Sequence, residues 1–206
     1  MDITIRRLTP ELLADYLFFF ETDAHADNPH EDRCYCVGWC SADHHIDMGF
    51  SSAEKRRETA VQYIKSGIIQ GYLAYEDKKV VGWCNANTKS DCLSCEGWLR
   101  FKAAVNVTES DSNIKIKSIY CFTIAPEYKR KGIASQLLER VCQDALNEGF
   151  DFVEAYPEQN FVDVFSAMSG PLNLYQKNGF EIIQEVNDKY QGVYDLKYFV
   201  VRKSLR

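Results

Sequence analysis

No stretch of the 206 residues approaches the 18 or so consecutive apolar positions that carry a helix across a bilayer, and the apolar run at 16–20 is far too short. No membrane partner is therefore expected. The opening Met1-Asp2-Ile3-Thr4-Ile5-Arg6-Arg7 lacks the basic-then-apolar pattern of a secretory signal, so a cytoplasmic location is expected. Positive charge is also in short supply. Twenty-four Lys and Arg against thirty Asp and Glu leave a net charge of −6, the wrong sign for broad attachment to nucleic acid. An anionic ligand must be met by a local cluster of cations. Paired two-residue-gap cysteine knuckles are missing as well: of eight cysteines only Cys92 and Cys95 have that gap. A second grouping, Cys34, Cys36 and Cys40 with His44 and His45, is irregular, and no bound metal is expected. In a chain of this length without an export signal the thiols read as reduced, with Cys84, Cys121 and Cys142 as small core hydrophobes.

What is present suits a folded globular protein: 46% apolar, 13% aromatic and 26% charged residues, in a length that favours one domain over 1–206. Ile3 and Ile5 alternate as a half-buried strand does, and Thr9-Pro10 introduces a helix over 11–21. Residues 22–51 gather Asp23, Asp27, Glu31, Asp32, Asp43 and Asp47 with all four histidines (His25, His30, His44, His45) and the aromatics Tyr35, Trp39 and Phe50, without periodicity. A segment that long and irregular is expected to be a functional loop on the substrate side. Ser51-x-x-Glu54 reads as a capping box for a helix ending near Gly67. The runs 71–75 and 80–85 flank Glu76-Asp77-Lys78-Lys79 as a hairpin, and 86–113 reads as polar and irregular. Over 114–124 the even positions Ile114, Ile116, Tyr120, Phe122 and Ile124 are expected on one face of a strand, half exposed at its Lys115 and Lys117 end. A helix follows, with Ile133, Leu137, Leu138, Val141 and Ala145 at helical spacing. A strand at 151–156, a short helix at 172–177 closed by Asn178-Gly179, and strands at 180–186 and 193–201 complete the series.

Most of the chemistry sits in Cys121-Phe-Thr-Ile-Ala-Pro126-Glu-Tyr-Lys129-Arg130-Lys131-Gly132-Ile-Ala134. Three cations and a glycine stand at the mouth of an amphipathic helix, where backbone N–H groups lack intrahelical partners and the dipole is positive. Such an end takes phosphate; Gly132 admits an anion close to the backbone, and Ala134 keeps the next turn small. Neither G-x-x-x-x-G-K-[ST] nor G-x-G-x-x-G occurs there, which removes the common nucleotide-loop readings. Taken alone, Lys129 to Lys131 can equally be a solvated charge run.

This segment, with Leu172-Asn173-Leu174-Tyr175-Gln-Lys-Asn-Gly179-Phe180 some forty residues on, resembles the GNAT superfamily of N-acetyltransferases. The family's [QR]-x-x-G-x-[GA] signature falls on Lys129-Arg130-Lys131-Gly132-Ile133-Ala134. Lys129 departs from it: a cation stays, and the bidentate contact of a guanidinium is lost. The resemblance implies a mixed α/β (α+β) fold with a central, mostly antiparallel, twisted sheet of about seven strands, splayed in the middle and flanked by helices. It implies acetyl-CoA as co-substrate, held by Phe122, Thr123 and Ile124 on the strand, by Lys129, Arg130, Lys131, Gly132, Ile133, Ala134 and Ser135 at the loop and helix start, and by Asn173 and Lys177. The thioester would enter between the strands at 114–124 and 151–156, with Tyr175 giving a proton to the departing thiolate.

The implied reaction is direct attack of an amine on the thioester, with acceptors among small-molecule amines and peptides and with a homodimer left open. Deprotonating an alkylammonium at pH 7 costs on the order of 4.6 kcal/mol, so a base or proton wire is expected. Glu154 on the lining strand is one candidate, His44 and His45 are weaker ones, and Cys121 is better placed for packing than for carrying acetyl. The acidic segment at 22–51 suggests a pocket for a cationic amine. A catalytically reduced module that only binds or senses acyl-CoA keeps the same groove, and a zinc-organised interaction protein is the third reading.

Overall fold

The computed structural model describes residues 2–26, 33–40, 52–107, 113–159, 169–190 and 194–206. Seven strands form one sheet: β1 (Ile3–Arg7), β2 (Gly71–Glu76), β3 (Lys79–Thr88), β4 (Ile116–Ile124), β5 (Phe152–Ala155), β6 (Glu181–Tyr190) and β7 (Tyr194–Ser204), in the order β1-β2-β3-β4-β5-β7-β6. Every neighbouring pair is antiparallel except β4 with β5. The hairpin joining β2 and β3 turns on two residues, Asp77 and Lys78, and Asp77 has a positive φ of 53°. That suits the mirror-image turns whose twist matches the flanking strands.

Helices α1 (Leu13–Thr22), α2 (Ala53–Lys65), α3 (Lys89–Cys92) and α4 (Glu96–Phe101) precede β4; α5 (Ile133–Asn147) and α6 (Leu172–Lys177) follow it. The cap of α2 is Ser52, one residue after the expected Ser51; its extended backbone lets its hydroxyl accept from the Lys55 N–H at 3.3 Å. Residues 86–113 are not irregular throughout. They begin with the end of β3 and carry α3 and α4, each too short for a helical period to register, and α4 is capped by the Cys95 sulfur accepting from the Trp98 N–H. α5 buries Ile133, Leu137, Leu138, Val141, Cys142 and Ala145, the stripe that its spacing predicts. Each such side chain contributes roughly 1.5–3 kcal/mol of transfer free energy before entropy is charged against it.

β4 decides the architecture of the site. Its register with β3 runs Asn85 to Cys121 and then Ala86 to Ile119, so Tyr120 is an extra residue, a β-bulge. The bulge breaks the alternation expected from the sequence. Phe122 joins Ile133, Leu137 and Tyr175 on the α5 side, whereas Tyr120 packs with Trp98, Tyr156 and Tyr198 on the other. Lys117, expected at a half-exposed end, is buried, with its ammonium 3.3 Å from the Gln70 side-chain oxygen and over the Phe150 ring. On its other edge β4 pairs with β5 from Ile116 to Ile119 and no further. Beyond Ala155 the two strands part, leaving positions 120–124 without a strand partner on that edge among the described residues.

Candidate active site

The signature segment follows β4 directly. A single turn, Pro126–Tyr128, leads into Lys129; Arg130 and Gly132 take positive φ values of 62° and 82°. Gly132 is the residue before α5, and no side chain caps that helix. The first N–H groups of a fifteen-residue helix therefore face outward with the positive end of its dipole. Nothing lies within 4 Å of where a Cβ on Gly132 would sit, so the approach to those N–H groups is open.

The loop and α6 form two walls of a cleft of about 410 Å³. Ile124, Lys129, Arg130, Gly132, Ile133, Ala134 and Ser135 line one wall, and Asn173 and Lys177 line the other with Pro171 and Leu174. Tyr128 completes the lining, its hydroxyl donating to Glu76 at 2.5 Å. Of the residues expected to hold acetyl-CoA, Phe122, Thr123 and Lys131 do not line this cleft. Phe122 and Thr123 are buried side chains of β4, offering only the strand's backbone edge, and the Lys131 ammonium lies 4.7 Å from the centre of the Tyr128 ring. A diphosphate fits the arrangement: three of the lining side chains are cations, and uncapped N–H groups stand between them.

Asn173 and Lys177 are four apart and share one face of α6, which turns Tyr175 to the opposite side. Tyr175 is fully buried, with its hydroxyl donating to the Ser169 carbonyl at 2.5 Å, its ring edge-on to Phe180 and 6.4 Å from Phe122. Burial pushes its pKa well up, so the phenol keeps its proton. Gly170, with φ of 72°, stands above it, and a Cβ there would lie 3.7 Å from the phenol oxygen.

Glu154 is not brought to that cleft. Its carboxylate lies on the other side of the sheet, fully buried, accepting from the Tyr156 hydroxyl at 2.7 Å and paired with Lys89 at 2.9 Å and Arg202 at 2.5 Å. Two cations and a phenol satisfy it, an arrangement suited to tying elements together. The Tyr156 hydroxyl also meets Ser118 at 2.9 Å. His44 and His45, with His30, Asp27, Glu31, Asp32, Asp43, Asp47 and Phe50, lie outside the described residues. His25 is described; its Nε2 is 3.6 Å from the Cys34 sulfur. Cys34 is held well below the usual thiol range, chiefly by hydrogen bonding with Cys36 and then with His25.

Where β4 and β5 part, the sequence reading missed an aromatic stack. Trp39 lies flat on Tyr120 (5.0 Å, 9°), Tyr120 on Tyr156 (5.6 Å, 17°), and Trp98 meets both edge-on. Tyr120 and Tyr156 immediately follow Ile119 and Ala155, the last paired residues. Only the crowding of aromatics in the sequence signalled it; the bulge that turns Tyr120 toward Tyr156 leaves no mark on a period-two pattern.

The Acetyltransferase (GNAT) domain family matches residues 68–182, just over half of the chain, from before β2 to the first residues of β6. No curated protein matches the chain by sequence. Solved structures share the fold at low identity. The polyamine N-acetyltransferase of Drosophila melanogaster superposes with a TM-score of 0.61 at 13% identity, over 98% of this chain and 100% of that one. The ribosomal-protein-alanine N-acetyltransferase of Brucella melitensis gives 0.55 at 15%, over 98% and 99%. yncA from Salmonella typhimurium, solved with its cofactor acetyl-CoA, gives 0.54 at 14%, over 99% and 94%. With a seven-stranded sheet parted between β4 and β5 and a glycine-led helix start facing the cleft, the chain belongs to the GNAT family of acetyltransferases, whose co-substrate is acetyl-CoA.

Proposed function

We propose that the protein moves the acetyl group of acetyl-CoA directly to a primary amine, on a small molecule or a peptide. The observation that carries this reading is the continuity of the cleft with β4: Ile124, the last residue of the strand's unpaired length, is also a lining residue beside Gly132 and α5. In this reading Lys129, Arg130 and the N–H groups of residues 133–135 hold the diphosphate, Asn173 and Lys177 close the far wall, and the free edge at 122–124 aligns the arm toward the fork. Bound acetyl-CoA supplies the activated acyl group. Tyr175 leaves the Ser169 carbonyl to pass its proton to the departing sulfur. The acidic composition of 22–51 favours a cationic amine as the acceptor.

Free-thiol release from acetyl-CoA over a panel of amines tests this reading. Release with cationic primary amines supports it; equal rates with neutral and cationic acceptors remove the electrostatic part. One observation favours a second reading, a module that binds acyl-CoA without turnover: the Tyr175 hydroxyl is enclosed and engaged. CoA binding with no thiol release across the panel selects that module.

A further inference from the structure

Three lysines are buried in the described part of the chain, and they are not alike. The Lys89 ammonium reaches Glu154 at 2.9 Å and the Asn106 carbonyl at 3.4 Å, and that of Lys117 reaches Gln70 at 3.3 Å and Glu148 at 3.8 Å. Lys102 has neither an ion pair nor a hydrogen bond to its ammonium among the described residues. Its backbone is fixed at the end of α4 by a 2.7 Å bond to the Trp98 carbonyl. Its Nζ stands among ring faces instead: 3.9 Å from the centre of Tyr198, 5.5 Å from Tyr156 and 5.9 Å from Trp39. The side chain is only 5% exposed.

A permanent ammonium is costly in such a place, because ring quadrupoles replace only part of its lost hydration. Burial brings its pKa down to about 8, with only Glu158 pulling the other way. The phenols of Tyr156 and Tyr198 are raised by burial and stay neutral, and the Glu154 anion behind Tyr156 is balanced by Lys89 and Arg202. At pH 7 Lys102 is thus the uncharged nucleophile on the order of 100-fold more often than a solvated lysine. Its position adds direction. Tyr156 and Trp39 are the outer members of the stack on Tyr120, and Tyr120 and Tyr156 flank the point where β4 and β5 part. The amine is therefore one ring away from the fork.

We infer that Lys102 is itself an acetyl acceptor, taking the acetyl group from acetyl-CoA bound to the same chain; the inference rests on the acetyl-transfer reading above. The Nζ lone pair forms the C–N bond to the acetyl carbon, and the C–S bond breaks with its electron pair leaving on sulfur. The product is a neutral amide and free CoA thiol, with one proton released to solvent from the starting ammonium. No third reactant is needed.

The protein incubated with acetyl-CoA alone, digested and read by mass spectrometry, should carry acetyl on Lys102 at a rate at least about tenfold above any exposed lysine, rising with pH through about 8 rather than about 10.5. Lys102→Arg, which keeps the cation, should remove that label while binding CoA normally. Gly132→Glu should abolish it together with CoA binding. Equal labelling of Lys102 in the Gly132→Glu protein or in the unfolded chain would reveal uncatalysed chemistry and overturn the proposal. Thiol release to added amines with Lys102 unlabelled would overturn it and leave the acetyl-transfer reading intact; failure to bind CoA would overturn both.

Discussion

Gly132 stands at the start of α5 with a backbone φ of 82° and empty space where a side chain would begin. Gly132→Ala should cost about 1–2 kcal/mol in strain while leaving the cleft open. Gly132→Glu puts a carboxylate against the diphosphate, and CoA affinity measured by titration calorimetry should fall on the order of 100-fold. Tyr175→Phe separates binding from chemistry. If the phenol protonates the leaving sulfur, kcat falls on the order of 100-fold with little change in KM for acetyl-CoA, whereas full activity would leave the tyrosine a packing role. At this scale the loop was legible, because three cations and a glycine before an amphipathic stripe have a local meaning. Lys102 was not, since burial against three rings drawn from distant parts of the chain has no local signature.

Among the elements, α5 and α6 were readable because each follows one clear rule: a 3.6-residue stripe in the first, and closure by Asn178 and Gly179 in the second. The hairpin of β2 and β3 obeyed turn chemistry. β4 resisted, because one bulged residue reassigns every side chain beyond it, and α3 and α4 resisted because two turns of helix or fewer carry no period. The expected reading of Glu154 as a base failed to account for what surrounds β5. Its carboxylate links that strand to α3 through Lys89 and to β7 through Arg202. Glu154→Gln should therefore destabilise the fold by about 3–5 kcal/mol in urea titration, since two cations lose their counter-charge. Acetyl transfer per folded molecule should change less than about tenfold; a much larger loss would return the residue to a chemical role.

For the whole molecule, alkaline pH is the revealing variable. The thiols of Cys142, Cys40 and Cys84 are pushed up by burial, to about 11, to about 12 and well above the ordinary value of 9.0. A raised folded pKa gives stability that is whole below the unfolded value and lost as pH climbs through the folded one, so these three weaken the fold between pH 9 and 12. Lys102, lowered to about 8 from 10.5, acts oppositely between those values, and Lys117 has the same sign. The thiols outnumber the two amines, and buried Tyr16, Tyr156 and Tyr175 reinforce them above pH 10. Under reducing conditions the melting temperature should fall steadily from pH 9 to 12; a plateau or a rise would mean that the amines dominate. The parted sheet has a mechanical corollary. Among the described residues β4 and β5 pair in register at four positions, Ile116 to Ile119, so the two halves of the sheet share a short seam. In the acetyl-transfer reading, a substitution that loosens 116–119 should widen the fork in which the thioester sits.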